Sequence, residues 1–212
     1  MKDMPVFTTE HGVASLILRE IPYNQKAYIK IQLAADLQGL IKECASFCRA
    51  VGAEEVYVSG DTALNCYPIH TELLEMQIQR KLLPETDAVA VALRENQLSY
   101  FKTVYNEKMN KIPTAAYLTE RDSKKLLEKG SGYIVYQNNM IIGVGIVDSD
   151  TIDMLASLGR GKGADVLFAL SARLDTDIVR VVVASTNDKA IALYQRIGFC
   201  VSQVLEKWYK II

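Results

Sequence analysis

The segment that most constrains the fold is an alternation of strands and helices around a glycine-rich turn, in residues 151–198. A strand pattern at 151–158 leads into Gly159-Arg160-Gly161-Lys162-Gly163. Beyond the turn, valines and leucines recur at helical spacing, and a strand at 178–184 precedes a helix that begins near Asn187. Strand, turn, helix, strand and helix in this order predict an α/β arrangement with at least one right-handed crossover.

The rest of the chain mixes the same two patterns. Strand patterns with alternating or β-branched residues fall at 13–21, 27–32, 54–59, 76–81, 88–94, 132–137 and 140–148. Helical patterns fall at 36–50, 70–74, 98–109 and 123–128. Asp36 is the expected N-cap of the first helix, Asn138-Asn139 joins two strands, and 201–212 fits one strand or a pair. We predict a mixed α/β fold.

One segment marks the best domain boundary. Pro84-Glu85-Thr86-Asp87 places a proline and polar residues between two apolar runs. We predict an N-terminal α/β domain at 1–85 and a second domain at 86–212. The first half follows the same order of strands and helix as the second, which suggests a degenerate repeat.

Composition and charge exclude several classes of protein. Half of the residues are hydrophobic, enough to offset the entropy of folding, and a net charge of −1 gives no general attraction to nucleic acid or anionic membranes. No apolar run approaches the roughly 18–20 residues of a spanning helix, and residues 1–10 lack a secretory pattern. We expect a soluble cytoplasmic protein without nucleic-acid or membrane partners, and the sequence leaves its oligomeric state open.

The cysteines and histidines support neither a metal site nor a hydrolase. Four cysteines are too few and too scattered for a disulfide framework. Cys44 and Cys48 are four residues apart but lie on the apolar stripe of their helix, which favours core cysteines over metal ligands. His11 and His70 are isolated, so no catalytic triad is indicated.

The glycine-rich turn is the best candidate binding site. Glycines allow positive φ, so successive amide groups can converge on an anion, and the start of a helix adds unsatisfied donors. Arg160 and Lys162 add positive charge. A Walker A loop is excluded because Gly163 follows Lys162, and a dinucleotide turn would require an acidic residue where Ala184 and Ser185 stand. An ordinary strand–helix connection is the alternative.

Two motifs in the second half resemble those of the GNAT N-acetyltransferases. That family carries Q/R-x-x-G-x-G/A between its fourth strand and third helix, and Arg160-Gly161-Lys162-Gly163-Ala164 matches up to the last position, where Asp165 replaces a small residue. About twenty residues further on, the family shows N-x-x-A, then a tyrosine four positions later, then x-x-x-G-F, and residues 187–199 match in full. The resemblance covers roughly residues 86–212. It implies a GNAT-like acyl-CoA N-acyltransferase fold with an N-terminal α/β domain.

The resemblance also implies a site for acetyl-CoA. Its diphosphate would lie on the turn, and its pantetheine arm would pair with the preceding strand. The implied binding residues are Leu155, Ala156, Ser157, Arg160, Gly161, Lys162, Gly163, Ala164, Asp165 and Asn187. Asn187 is also a good N-cap. We expect one cofactor site per chain, because no glycine-rich turn lies between Gln32 and Leu37.

The implied reaction is acetyl transfer to an amine of a small molecule or a protein, by direct attack in a ternary complex. Tyr194 stands where the family often keeps a general acid, although a tyrosine on an apolar helix face commonly packs in the core. The amine needs a base, for which Asp153, Glu107 and Asp148 are candidates. The alternative for each of these three residues is an exposed, solvated carboxylate without a catalytic role.

Two alternatives remain at this point. A non-catalytic CoA-binding or protein-interaction module is favoured by Asp165 and by the lack of an obvious base. Transfer of a longer acyl group is a further possibility, which a comparison of acyl-CoA chain lengths would distinguish.

Overall fold

The computed structural model describes residues 4–60 and 62–212, which form eleven strands and six α-helices. The strands are β1 Val6–Thr9, β2 Gly12–Ile17, β3 Lys26–Ala34, β4 Glu55–Ser59, β5 Ile69–Gln79, β6 Val89–Ala92, β7 Gly132–Gln137, β8 Met140–Asp148, β9 Thr151–Ser157, β10 Ile178–Ala184 and β11 Cys200–Lys210. The helices are α1 Ile21–Asn24, α2 Leu37–Ala50, α3 Leu98–Met109, α4 Glu120–Lys129, α5 Gly163–Ser171 and α6 Asp188–Ile197. The predicted mixed α/β class is confirmed.

The chain divides into two compact units. The first comprises Met1–Glu72 and Leu205–Ile212, and the second comprises Leu73–Val204, so β5 and β11 contribute to both. The prediction of domains at 1–85 and 86–212 stays a prediction, since compact units and evolutionary domains need not share bounds. In the part of the chain that the structure describes, no helix is long and apolar enough to cross a lipid bilayer.

The first unit is a sheet packed against one long helix. β1, β2 and β3 are antiparallel neighbours, β4 runs parallel to β3, and the end of β11 pairs with β4. The helix α2 connects β3 to β4, and its start is capped by the Asp36 carboxylate, which accepts a hydrogen bond from the Gly39 amide at 3.1 Å. Its buried face includes Cys44 and Cys48, which are core cysteines.

The second unit is a sheet with helices on both faces. Its strand order is β5-β10-β9-β8-β7-β6, and β9–β10 is its parallel pair. The helix α5 connects β9 to β10. One core lies under α5 and α6 and contains Leu167, Leu170 and Tyr194, and the other lies under α3 and contains Phe101 and Val104.

Two local predictions are wrong. The helix expected at 70–74 is part of β5. Residues from Leu73 onward pair with β10, and the local spacing of apolar residues does not reveal this pairing. The strand expected at 13–21 ends at Ile17, and a short helix follows, with Pro22 in its first turn. The chain end, left open between one strand and two, is the single strand β11.

Two glycines of β8 allow α5 to pack closely against the sheet. A Cβ on Gly143 would lie 2.5 Å from Val166 Cγ2 and 2.7 Å from the carbonyl oxygen of Ala156, and one on Gly145 would lie 2.3 Å from Leu170 Cδ1. Because the Ala156 oxygen belongs to the backbone, it cannot move aside as a side chain can. The glycines therefore help to set the position of α5 relative to β9.

We expect Gly143→Ala to lower the free energy of unfolding by about 1–3 kcal/mol, the usual cost of overpacking a core. Urea denaturation measures it. The matched control is Gly159→Ala, whose methyl group would meet only the flexible Lys162 side chain at 3.1 Å and should change stability by less than about 0.5 kcal/mol. Equal effects of the two changes would contradict the packing argument.

Candidate functional site

The two parallel strands of the second unit separate soon after they pair. Among the described residues, β9 and β10 share register positions only at Thr151 and Ile152. From there β9 continues to Ser157 beside β8, and β10 continues to Ala184 beside β5. The backbone groups of residues 153–157 that face away from β8 therefore have no strand partner within 4–60 and 62–212, and an extended ligand could bond to them.

A β-bulge lies on β9 where the separation begins. Ile146 of β8 is paired with Met154. The next residue of β8, Val147, is paired with Ile152, so Asp153 is the extra residue. The bulge reverses the side-chain alternation, because Ile152 packs under α5 and α6 whereas Met154 packs under α3. Asp153 is thus exposed at the point where the gap between the strands opens.

The turn that follows β9 presents a row of backbone donors. Within residues 4–60 and 62–212, no acceptor is found for the amide groups of Arg160, Gly161, Gly163, Ala164 and Asp165. The helix α5 has no side-chain cap, whereas α2, α4 and α6 are capped. Uncapped donors at a helix start, together with the helix dipole, attract an anion.

The charged side chains of the turn differ in their partners. The Lys162 ammonium donates to Gln137 Oε1 at 2.7 Å and lies 3.5 Å from Asp165 Oδ2. Gln137 donates in turn to Asp87 Oδ1 at 2.5 Å. Arg160 is exposed and forms no hydrogen bond or ion pair with any residue that the structure describes. Lys162 is therefore committed to protein acceptors, and Arg160 is available to an incoming anion.

Asn187 is the N-cap of α6. Its Oδ1 accepts a hydrogen bond from the Ala190 amide at 3.3 Å, as the cap interpretation predicts. The oxygen is thus used by the fold, while the side-chain NH₂ remains a donor that no described residue accepts. A contact of Asn187 with pantetheine stays a prediction.

Tyr194 lies in the core of the second unit. Its side chain is 5% exposed, and its ring centroid is 5.7 Å from that of Phe199. Burial raises the pKa of the Tyr194 phenol well above its ordinary value of 10.0. Its hydroxyl bonds to no group among the described residues. At neutral pH the side chain is therefore a neutral proton donor, and its role as a general acid stays a prediction.

Two of the three candidate bases, Asp153 and Glu107, differ in their surroundings. Removal of water by neighbouring atoms raises the pKa of the Asp153 carboxyl, the Asp148 carboxylate raises it further, and Lys129 opposes both. Glu107 is exposed on α3 and forms no ion pair or hydrogen bond with the described residues. Asp153 lies exposed at the bulge, and its raised pKa is the reason to keep it as a candidate base. Both assignments stay predictions.

Sequence reasoning did not identify Gln137 or Asp87. Gln137 is 25 residues from Lys162 and ends β7, so only the pairing of β7 with β8 and the packing of α5 bring it to the turn. The separation of β9 from β10 and the bulge at Asp153 also depend on register. A single sequence carries no signal for register between distant strands.

The first unit contains a second strand–helix–strand crossover, formed by β3, α2 and β4. Its described residues show neither a gap between the parallel strands nor an uncapped helix start. The strands β3 and β4 pair at five successive positions, from Lys26–Glu55 to Lys30–Ser59, and leave no gap. The start of α2 is occupied by its own cap, Asp36. The expectation of one cofactor site per chain stays a prediction.

No protein-family model matches the chain, and no curated protein matches it significantly. Solved structures do. The chain is similar to a functionally unknown conserved protein from Staphylococcus epidermidis, with 15% identity, a TM-score of 0.61, and coverage of 98% of this chain and 93% of that one. It is also similar to a GCN5-related N-acetyltransferase from Anabaena variabilis, with 11% identity, a TM-score of 0.63, and coverage of 98% and 62%.

A third similar structure is an acetyltransferase of the GNAT family from Colwellia psychrerythraea, with 14% identity, a TM-score of 0.53, and coverage of 97% of this chain and 84% of that one. At these identities the likeness defines the fold. The chain has a GNAT-like fold, as the two motifs predict, and the reading of the N-terminal part as a degenerate repeat stays a prediction.

Proposed function

We propose that the chain is an N-acetyltransferase that moves an acetyl group from acetyl-CoA to an amine. The observation that carries the proposal is the early separation of β9 from β10, which leaves a gap between the two strands. The gap begins at the bulge on β9 and extends to the turn before α5, where the helix has no side-chain cap and five amides have no acceptor among the described residues. Solved structures named GCN5-related N-acetyltransferases share the fold, which supports the same assignment.

The proposed placement of acetyl-CoA matches each part of the cofactor to protein groups of complementary charge or hydrogen-bonding capacity. The diphosphate would accept hydrogen bonds from the turn amides that have no acceptor among the described residues, those of Arg160, Gly161, Gly163, Ala164 and Asp165, with the Arg160 side chain beside it. The pantetheine amides would pair with β9 at Leu155, Ala156 and Ser157, and Asn187 would add a donor. The five residues from Asp153 to Ser157 span about 16 Å along the strand. An extended arm over this length would bring the thioester to the bulge.

The proposed reaction is a direct transfer. The amine nitrogen attacks the thioester carbonyl carbon, a carbon–nitrogen bond forms, and the carbon–sulfur bond breaks. Asp153, directly or through water, would accept the proton that the amine loses. Tyr194 would protonate the departing thiolate, whose parent thiol has a pKa near ~8.5 on the cysteine scale.

Calorimetric titration with acetyl-CoA tests the proposal, with CoA and NAD as comparison ligands. We expect micromolar binding of acetyl-CoA at one site per chain and no binding of NAD. A panel of amines then tests transfer, and a series of acyl-CoA chain lengths tests the choice of acyl group. Absence of acetyl-CoA binding contradicts the proposal, and binding without hydrolysis or transfer to any amine favours the non-catalytic CoA-binding module.

We expect Asp153→Asn to lower kcat/KM at pH 7 by about a hundredfold, the low end of the range for a general base. A base acts when ionised, and the pKa of Asp153 is raised, so wild-type activity falls as pH drops through that raised pKa. The same change should slightly raise the Tm at pH 7. A carboxyl whose pKa is raised by folding stabilises the fold below its unfolded pKa and loses that contribution as pH rises through the folded pKa. At pH 7 the ionised Asp153 carboxylate therefore costs stability, and the neutral asparagine removes that cost.

A pH–rate profile and thermal denaturation check both expectations. Glu107→Gln is the comparison variant for the rival base. An acidic limb that persists in Asp153→Asn and disappears in Glu107→Gln would transfer the role to Glu107.

A further inference from the structure

The first turn of α5 contains a charge that opposes anion binding. Asp165 lies next to the amides of Gly163 and Ala164, where a carboxylate interacts favourably with the helix dipole but repels a phosphate group. Its side chain is 30% exposed, so water screens it only in part. A turn that binds a diphosphate needs this charge to be compensated.

Lys162 is placed to compensate it. Its ammonium lies 3.5 Å from Asp165 Oδ2 and donates to Gln137 Oε1 at 2.7 Å, so two of its three donor positions face protein acceptors. The NH₂ group of Gln137 donates to Asp87 Oδ1 at 2.5 Å, and this bond orients the Gln137 oxygen toward Lys162. The ammonium is therefore held from two sides.

Arg160 contrasts with Lys162. It is exposed, and all five N–H donors of its guanidinium lack acceptors among the residues that the structure describes. Guanidinium groups also match phosphate geometry with two parallel hydrogen bonds.

We infer that the two cations of the turn have different tasks. Lys162 is the counter-ion of Asp165, Gln137 and Asp87 form a clamp that holds the ammonium in place, and Arg160 is the cation that contacts the diphosphate. The inference rests on the proposed function, because it concerns the same CoA site. Lys162 and Gln137 are then positioning residues and act on the ligand through Asp165.

A double-mutant cycle on CoA affinity tests the assignment, measured by calorimetry at low ionic strength. Lys162→Met should weaken CoA binding by about tenfold, since the charge of Asp165 is then uncompensated. In an Asp165→Asn background the same change should cost less than about twofold. Arg160→Met should cost about tenfold in both backgrounds.

Gln137→Leu tests the clamp. It should weaken CoA binding by about threefold in the wild-type background and have no effect in Asp165→Asn. Pantetheine, which has no phosphate group, is the second ligand, and its affinity should not change in any of these variants. Lys124→Met, on the exposed face of α4, is the control for loss of a surface cation and should bind CoA as the wild type does.

The outcomes are distinct. Non-additive losses for Lys162→Met and Gln137→Leu, abolished by Asp165→Asn, support the inference. An equal loss for Lys162→Met in both backgrounds overturns it, because Lys162 would then contact the diphosphate itself. If the wild type binds no CoA, the proposed function and this inference fall together, whereas CoA binding with additive effects overturns the inference alone.

Discussion

Replacing Tyr194 with phenylalanine is expected to lower kcat by about a hundredfold and to leave the KM for acetyl-CoA within about twofold of the wild-type value. General acids contribute about 10²–10⁴ in rate, and a thiolate leaves more readily than an alkoxide or an amide ion, so the lower end applies. The hydroxyl would act on sulfur in the transition state and not on the bound substrate. The loss should therefore fall on kcat.

The same change should leave the fold intact. The ring is buried beside Phe199 and stays in the variant, and the hydroxyl makes no hydrogen bond among the described residues whose loss would destabilise the core. Tyr133→Phe is the matched control, because its ring also packs in the second unit, beneath the Arg173 guanidinium, and lies outside the proposed site. We expect the control to have wild-type kcat.

Steady-state kinetics and thermal denaturation separate catalysis from folding. Because burial raises the pKa of Tyr194 above 10, the acid stays protonated across neutral and mildly alkaline pH. Loss of activity through ionisation of this group should therefore appear only above about pH 10. An unchanged kcat in Tyr194→Phe would assign the residue to packing alone.

Local patterns predicted the elements whose determinants are close in sequence. The helix expected at 98–109 is α3 as observed, and Asp36 caps α2 through the Gly39 amide. Asn138 and Asn139 have φ values of 51° and 62°, as a two-residue hairpin turn requires. Side-chain caps and turn residues act within three or four positions, so a single sequence displays them.

Features that depend on register were not predictable in the same way. The strands β9 and β10 pair at two register positions, and the bulge at Asp153 begins directly after the second of them. The first unit shows that a similar strand–helix–strand crossover can close completely. The glycine-rich turn in the sequence indicated the position of a binding site. The gap between β9 and β10 beside that turn is visible only in the structure.

Burial decides what a predicted site residue can do. The motif identified Tyr194 but not that its hydroxyl bonds to none of the residues that the structure describes, and it identified Lys162 without the acceptors that its ammonium contacts. Both depend on residues distant in sequence: Tyr194 is buried in a core that includes Met76 of β5, and Lys162 donates to Gln137 at the end of β7. Motif matching therefore predicts positions, whereas the contacts determine the chemistry.

Gly161→Val is expected to weaken CoA binding by at least a hundredfold. Gly161 has φ +81°, and a Cβ there would meet nothing within 4 Å, so a branched side chain would project into open space at the turn that is proposed to hold the diphosphate. It would also be strained, because a non-glycine residue in the left-handed region costs about 1–2 kcal/mol. Loss of the amide arrangement and obstruction of the diphosphate act in the same direction.

Gly130→Val separates strain from obstruction. Gly130 ends α4 with φ +66° and is also without neighbours within 4 Å of a Cβ, so valine there carries a similar conformational cost outside the turn. Both variants should lose about 1–2 kcal/mol in free energy of unfolding by urea denaturation. Calorimetry should show wild-type CoA affinity for Gly130→Val alone. Normal affinity in Gly161→Val, at equal loss of stability, would mean that the diphosphate does not lie on this turn.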